Sequence, residues 1–191
     1  RLAEAKITDI KDDIAAVVPA AALQDALRII QDSNDEEIDL RFDEGQFGVT
    51  SNGTQLVSRL IDGQYPAYRQ LIPESSEIQF QIKRSDFLTA AKLASLFARE
   101  SGGSITLKAS ELDKTVTISS VASQVGDNSS SIKGEVTGSG EVVVNVKYLT
   151  DALNCFDSET VNFRFSGSIS PCVLTSDAQP GYQHIVMPLK S

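Results

Sequence analysis

Apolar and polar residues alternate with a period of two along many short stretches of this chain, the pattern of strands with one buried face. The clearest are EIDLRF (37–42), QFGVTS (46–51), QLVSRLI (55–61), EIQFQIK (77–83), SITLKA (104–109), TVTISSV (115–121), EVVVNV (141–146), TVNFRF (160–165) and HIVMPL (184–189). Three segments switch to helical spacing. The first opens at Pro19, whose fixed φ suits a first helical position, and Leu23, Ala26, Leu27 and Ile30 then form one stripe. The second follows Ser85 as N-cap, with Phe87, Ala90, Ala91, Ala94 and Ala98 on one face and Lys92, Ser95 and Arg99 on the other. The third follows Asn145, with Leu149, Ala152, Leu153 and Phe156 inward. Turns are marked by Asp43-Glu44-Gly45, Ser51-Asn52-Gly53 and Gly102-Gly103; the Gly/Ser-rich stretch 122–140 reads as a loop, although SIKGEVTGS can continue as a strand.

An internal repeat organises these elements. LQDAL (23–27) answers LTDAL (149–153), and EEIDLRF (36–42) answers ETVNFRF (159–165). Each copy then runs through two further strands, to DGQYP (62–66) and HIVMP (184–188). Residues 83–121 offer a weaker third copy, and helix starts recur about every 60 residues, longer than solenoid periods. A repeated β-α-β-β-β unit, with helices on one side of antiparallel sheet, accounts for this order and places the chain in the α+β class.

Composition narrows the chemistry. At 191 residues, 41% hydrophobic and 23% charged, the chain is that of a globular protein of one to one and a half domains. No apolar run approaches the ~18 residues of a membrane helix, so no membrane partner is expected. The opening RLAEAKITDI intersperses charges, unlike a secretory signal, and Arg1 in place of Met reads as a fragment or a processed chain. Cys155 and Cys172, both in apolar settings, read as buried free thiols in a reducing, cytoplasmic compartment. The net charge of −9, from 17 basic and 26 acidic residues, argues against a broad nucleic-acid coat. It leaves room for a local basic face: within 83–99, Lys83, Arg84, Lys92 and Arg99 stand against Asp86 alone.

Catalytic candidates are few. His184 is the single histidine and sits in an alternating stretch, where packing is the ordinary role. GxSxG, CxxC, HExxH and P-loop patterns are absent from the sequence. Asp12-Asp13 and Asp35-Glu36-Glu37 lack the glycine and ligand spacing of a calcium loop and read as solvated turns. No catalytic residue, metal or cofactor is expected.

Several segments resemble the bacterial β sliding clamp family, the processivity subunit of the replicative polymerase. LVSRLIDGQYPAYRQLIP (56–73) looks like that family's linker between second and third domains. NVKYLTDAL (145–153) and HIVMPLKS (184–191) resemble its third-domain helix and tail, and the opening RLA (1–3) resembles a second-domain segment. The resemblance implies a DNA-clamp fold, with antiparallel sheets outside and helices on the inner face. Residues 1–72 would be the second half of domain two with its linker, and 73–191 the whole of domain three. It further implies a ring that encircles duplex DNA without reading sequence and tethers the polymerase catalytic subunit, the clamp loader and other motif-bearing proteins. Full-length relatives would pair as homodimers, and this chain alone would be monomeric.

By helix face, the DNA-facing candidates are Arg28, Lys92 and Arg99, followed by Lys83, Arg84 and Lys147. Carried over from the family, the groove for partner peptides would use Arg1, Leu2, Pro66, Gln70, Leu71, Asn145, Tyr148, Cys172, Ile185, Met187, Pro188 and Leu189, and the ring interface Leu96 and Phe97. Ile185 and Met187 share a face by alternation, so a core role for both stands beside the groove role. Two rival functions remain: a peptide-binding scaffold that never engages DNA, and a hydrolase acting through Asp or Glu residues.

Overall fold

Burial of every second residue turns the alternating stretches into sheet. The computed structural model describes residues 1–6, 13–33, 37–122 and 126–190; Asp12, Asp35 and Glu36 of the acidic turns lie outside the described residues. The chain runs β1 (Leu2–Ala3), α1 (Ala20–Asp32), β2 (Asp39–Phe42), β3 (Gln46–Ser51), β4 (Thr54–Arg59), a 3₁₀ turn at Tyr68–Leu71, β5 (Ile78–Lys83) and α2 (Arg84–Phe97). It continues through β6 (Ser104–Ser110), β7 (Thr115–Ala122), β8 (Gly126–Lys133), β9 (Glu135–Thr137), β10 (Gly140–Asn145), α3 (Val146–Leu153), β11 (Thr160–Phe165), β12 (Cys172–Thr175) and β13 (Tyr182–Val186). Two compact units result: a larger one made of Arg1–Lys6 with Arg69–Ser191, and a smaller one spanning Ile7–Tyr68. The contact boundary falls at 68/69, and the first six residues belong with the larger unit.

In the larger unit the repeat is explicit and interlocked. One copy is β5-α2-β6-β7-β8 and the other β10-α3-β11-β12-β13. Each copy's leading strand pairs with the other copy's sheet, β5 with β11 and β10 with β6. The sheets are therefore β1-β13-β12-β11-β5-β9 and β10-β6-β7-β8, with every pairing antiparallel. Helices α2 and α3 pack against each other, and one core fills the unit. At its centre Phe80 stacks on Phe163 at 5.0 Å between centroids, and Phe87 meets both rings edge-on. The expected inward faces hold: Phe87, Ala90, Ala91, Ala94 and Ala98 of the second helical segment, and Leu149, Ala152, Leu153 and Phe156 of the third, are all buried.

Four strands were not read from the sequence in this form. β8 and β9 occupy the stretch read chiefly as a loop. GDNSSSIK carries almost no apolar alternation, and the strand is held by its eight-residue ladder to β7. In β12, Cys172, Val173 and Leu174 are buried in succession, a run too short to show a period. β1 is only two residues long. The helix starts also differ from expectation at two places: Pro19 holds the cap position of α1 with extended ψ, so that helix begins at Ala20 rather than at the proline. Ser85 is not the cap of α2: the helix begins at Arg84, straight out of β5, with Lys83 at the cap position and no side-chain cap bond. The Arg84 amide is instead taken by the Glu159 carbonyl at 2.9 Å.

The smaller unit is a three-stranded sheet, β2-β3-β4, under α1. Its inward helix face is Ala22, Ala26 and Ile30, of which Ala26 and Ile30 pack with Phe47, Val49 and Leu56. This corrects the expected stripe, because Leu23 and Leu27 are about half exposed. Leu40 and Phe42 of the edge strand are exposed as well.

Candidate functional site

The last strand sets the geometry of the groove candidates in the larger unit. His184 and Val186 point into the core and are buried, which sends Ile185 to the opposite face, where it is half-buried. Met187 follows just beyond the strand and is 55% exposed, so the core role for this pair does not hold. β1 adds to the same edge: Leu2 lies directly across from Gln183, on the sheet face shared with Ile185. Gly181 permits this docking, since a Cβ there would run into the Glu4 carbonyl oxygen. The Glu4 amide donates to the Gly181 carbonyl at 2.7 Å, and Arg69 pairs with the Glu4 carboxylate at 3.0 Å.

Beyond Met187 the tail crosses to the other sheet, where the Leu189 amide donates to the Val143 carbonyl of β10 at 2.8 Å. Pro188 and Leu189 are half-buried there, and Tyr148, in the first turn of α3, is 57% exposed. Asn145 is structural as well as adjacent: its Oδ1 accepts from the Lys147 amide at 2.9 Å, and its Nδ2 donates to the Gly102 carbonyl at 3.1 Å. Arg1, Gln70 and Leu71 are exposed in the same unit, whereas Pro66 is exposed in the smaller one. Cys172 must be withdrawn as a groove-lining residue. It faces Val186 within the core, is fully buried, and has its thiol pKa pushed up to about 12 by that burial.

The basic candidates separate by their partners. Lys92 and Lys147 are exposed on the packed helix pair, and no described carboxylate pairs with them or with Arg99. Arg99 lies just past the end of α2, in the turn that follows Ala98, rather than on the helix itself. Lys83 faces Glu159 at 4.0 Å, and Arg28, on α1, pairs with Asp25 at 3.1 Å. Arg84 must be withdrawn as a phosphate contact. Its Nε donates to the Ser158 carbonyl at 3.1 Å and its Nη1 to the Leu153 carbonyl at 3.4 Å, tying the end of α3 to the start of α2. Leu96 is 57% exposed and Phe97 half-buried. Leu93, exposed one turn earlier, extends that patch, and α2 packs beside β8, the outermost strand of its sheet.

His184 is buried against Tyr182, whose hydroxyl lies 3.1 Å from Nδ1. Burial, and then the positive charges of the chain's amino group and Arg1, hold its pKa down at about 4 against a smaller opposing pull from Asp151. Burial and a bond to Cys155 push Tyr182 up to about 12. Among the described residues no group of three or more His, Cys, Asp or Glu side chains is placed to hold a metal ion. No described helix is long and apolar enough to cross a membrane.

Sequence and structure comparisons converge. The family model for the "DNA polymerase III beta subunit, C-terminal domain" matches residues 69–190, and that for the central domain matches residues 1–67. The "Beta sliding clamp" of Staphylococcus aureus is 31% identical over 192 aligned positions, covering 97% of this chain and 49% of the relative. The solved sliding clamp of Bacillus subtilis superposes with a TM-score of 0.91 at 26% identity, covering 99% of this chain and 50% of that one. The beta chain of Streptococcus pneumoniae gives 0.90 at 22% identity, again over 99% of this chain and 50% of that one. The chain therefore spans about half the length of the curated relatives it matches.

Proposed function

Because the chain belongs to the bacterial β sliding clamp family, the beta subunit of DNA polymerase III, we propose that it serves as part of a processivity clamp. Its first 72 residues would form half of the family's second domain with the linker, and residues 73–191 its third domain. In that role the chain contributes to a non-catalytic ring that encircles duplex DNA in the cytoplasm and holds the replicative polymerase, the clamp loader and other motif-bearing proteins to it.

The observation that carries the proposal is the outward turn of Leu2, Ile185 and Met187 at one sheet edge, while their neighbours His184 and Val186 fill the core. Apolar walls with a few polar groups suit an extended peptide, and a flexible thioether adapts to varied side chains. Leu71 and Tyr148 are further exposed apolar candidates for the same ligand. Lys92, Lys147 and Arg99 supply phosphate contacts that carry no sequence information and so permit sliding. Leu93, Leu96 and Phe97, beside β8 at the outer end of its sheet, supply a surface for a neighbouring protomer.

The test is fluorescence anisotropy with a labelled peptide carrying Gln followed by apolar residues including Leu and Phe. Saturable binding in the micromolar range, competed by the unlabelled peptide and not by a scrambled one, is the expected result. Equal competition by the scrambled peptide would remove the groove from the account. The rival reading, a peptide scaffold that does not engage DNA, draws on the net charge of −9. It predicts peptide binding with no salt-sensitive duplex binding at all.

A further inference from the structure

The smaller unit holds one copy of the repeat where the larger unit holds two, and burial shows what the second copy does. Leu23 and Leu27 correspond to Leu149 and Leu153, and Ile38, Leu40 and Phe42 to Val161, Phe163 and Phe165. The five residues of the larger unit are all 0% exposed, in a core where the two copies meet. Their counterparts in the smaller unit are 37–54% exposed. The backbone repeats the contrast. β11 pairs with β12 on one side and with β5, the other copy's leading strand, on the other. Among the described residues β2 pairs with β3 alone. A leading segment is present in the smaller unit: residues 14–18 run toward α1, lie in no strand, and leave Ile14 exposed. Its Val17 carbonyl accepts from the Ile61 amide at 2.8 Å, as Val143, at the corresponding position before α3, accepts from the Leu189 amide at 2.8 Å.

Both inter-copy ladders of the larger unit give the same register. The residue two places before one copy's helix pairs with the first inward residue of the strand that follows the other copy's helix, Ile82 with Val161 and Val144 with Ile105. Carried over to the smaller unit, Val18 pairs with Ile38, Ala16 with Leu40 and Ile14 with Phe42. We infer that the smaller unit is a docking surface for a second copy of this chain: two copies join about a two-fold axis, each laying residues 14–18 along the other's β2 and packing α1 against the other's α1. A second copy carries both parts of the complement, the leading segment and the uncovered helix face, and an isologous contact uses the two at once. The five half-exposed side chains leave about 500 Å² of apolar surface per chain, at the upper end for a monomer, and about 1,000 Å² per pair, the scale of a specific interface. The dimer depends on the repeat and not on the peptide or DNA readings, and it departs from the monomer expected of this chain.

Sedimentation velocity of the whole chain tests it at about 0.15 M salt, where screening over ~8 Å blunts the repulsion between two chains of net charge −9. A monomer–dimer equilibrium, with the dimer dominant by about 100 μM, is the expected result. Leu40→Asp, at a half-exposed position, should keep the wild-type circular dichroism and weaken association at least tenfold, because the two-fold axis places the new charge in the interface twice. If that variant fails to fold, Leu23→Asp on α1 serves in its place. Leu96→Asp, on the α2 patch of the larger unit, should leave the dimer unchanged. Hydrogen exchange adds a readout free of substitution: amides of residues 14–18 and of β2 should exchange more slowly at about 100 μM than at about 1 μM. A monomer at the higher concentration, exchange that ignores concentration, a dimer that survives Leu40→Asp or Leu23→Asp, or one lost with Leu96→Asp overturns the proposal.

Discussion

A buried imidazole has to stay neutral, and that makes His184 the source of a defined pH dependence. Its folded pKa, held down at about 4, lies below the value of 6.5 expected when unfolded. Between these limits the unfolded chain binds more protons, so stability falls as the pH is lowered from about 6.5 toward 4. Thermal unfolding of the wild type and of His184→Gln should show this extra loss only in the wild type, since the carboxylates are common to both. Identical pH slopes would remove His184 from the account. The surroundings of single residues were legible in the sequence only so far as alternation reaches. Period two establishes that Ile185 and Met187 share a face but not which face is buried; that is settled by the burial of His184 and Val186 in tertiary structure. Arg84 shows the same limit, because the carbonyls that occupy it, Leu153 and Ser158, lie far along the chain.

Among the elements, α2 and α3 begin in different ways, and substitutions should separate them. Asn145 satisfies the Lys147 amide, so Asn145→Ala should cost about 1 kcal/mol, within roughly 0.5–2, in denaturant unfolding. Ser85→Ala should cost much less, because the Ser85 hydroxyl caps nothing and, among the described residues, donates to Asp86 at 3.2 Å on the exposed face. β1 depends on a close backbone approach, and Gly181→Ala should displace it from β13. Faster hydrogen exchange at the Glu4 amide, together with weaker peptide binding, is the expected outcome; unchanged exchange would contradict the docking of that strand. The repeat, the three helices and nine strands were legible because each is long or periodic enough to register. β8 and β12 were not, one because its pairing rests on backbone bonds, the other because it is buried on both faces. The exposed Leu23 and Leu27 of α1 were misread because a helical stripe identifies an apolar face and not what covers it.

For the molecule as a whole, the proposed phosphate contacts of Lys92, Lys147 and Arg99 work against a net charge of −9, so binding to linear duplex should be weak and steeply salt-dependent. At roughly −0.9 per phosphate contact on a log–log scale, three contacts lose about 40-fold in affinity between about 50 and 200 mM salt. Changing Lys92 and Arg99 together to Glu should flatten that dependence, as anisotropy on a labelled duplex would show; an unaltered slope would take both residues off the DNA-facing surface. Peptide capture is the more direct test, because Leu2, Ile185 and Met187 all belong to the larger unit. Titration calorimetry with the Gln-and-apolar peptide should give a micromolar affinity for the wild type, and Met187→Ala should weaken it by roughly 1–3 kcal/mol. Since Met187 is 55% exposed, that variant should unfold at nearly the wild-type denaturant midpoint. Unaltered peptide affinity in a Met187→Ala protein destabilised by roughly 2–5 kcal/mol, the behaviour of a core methionine, would contradict the groove.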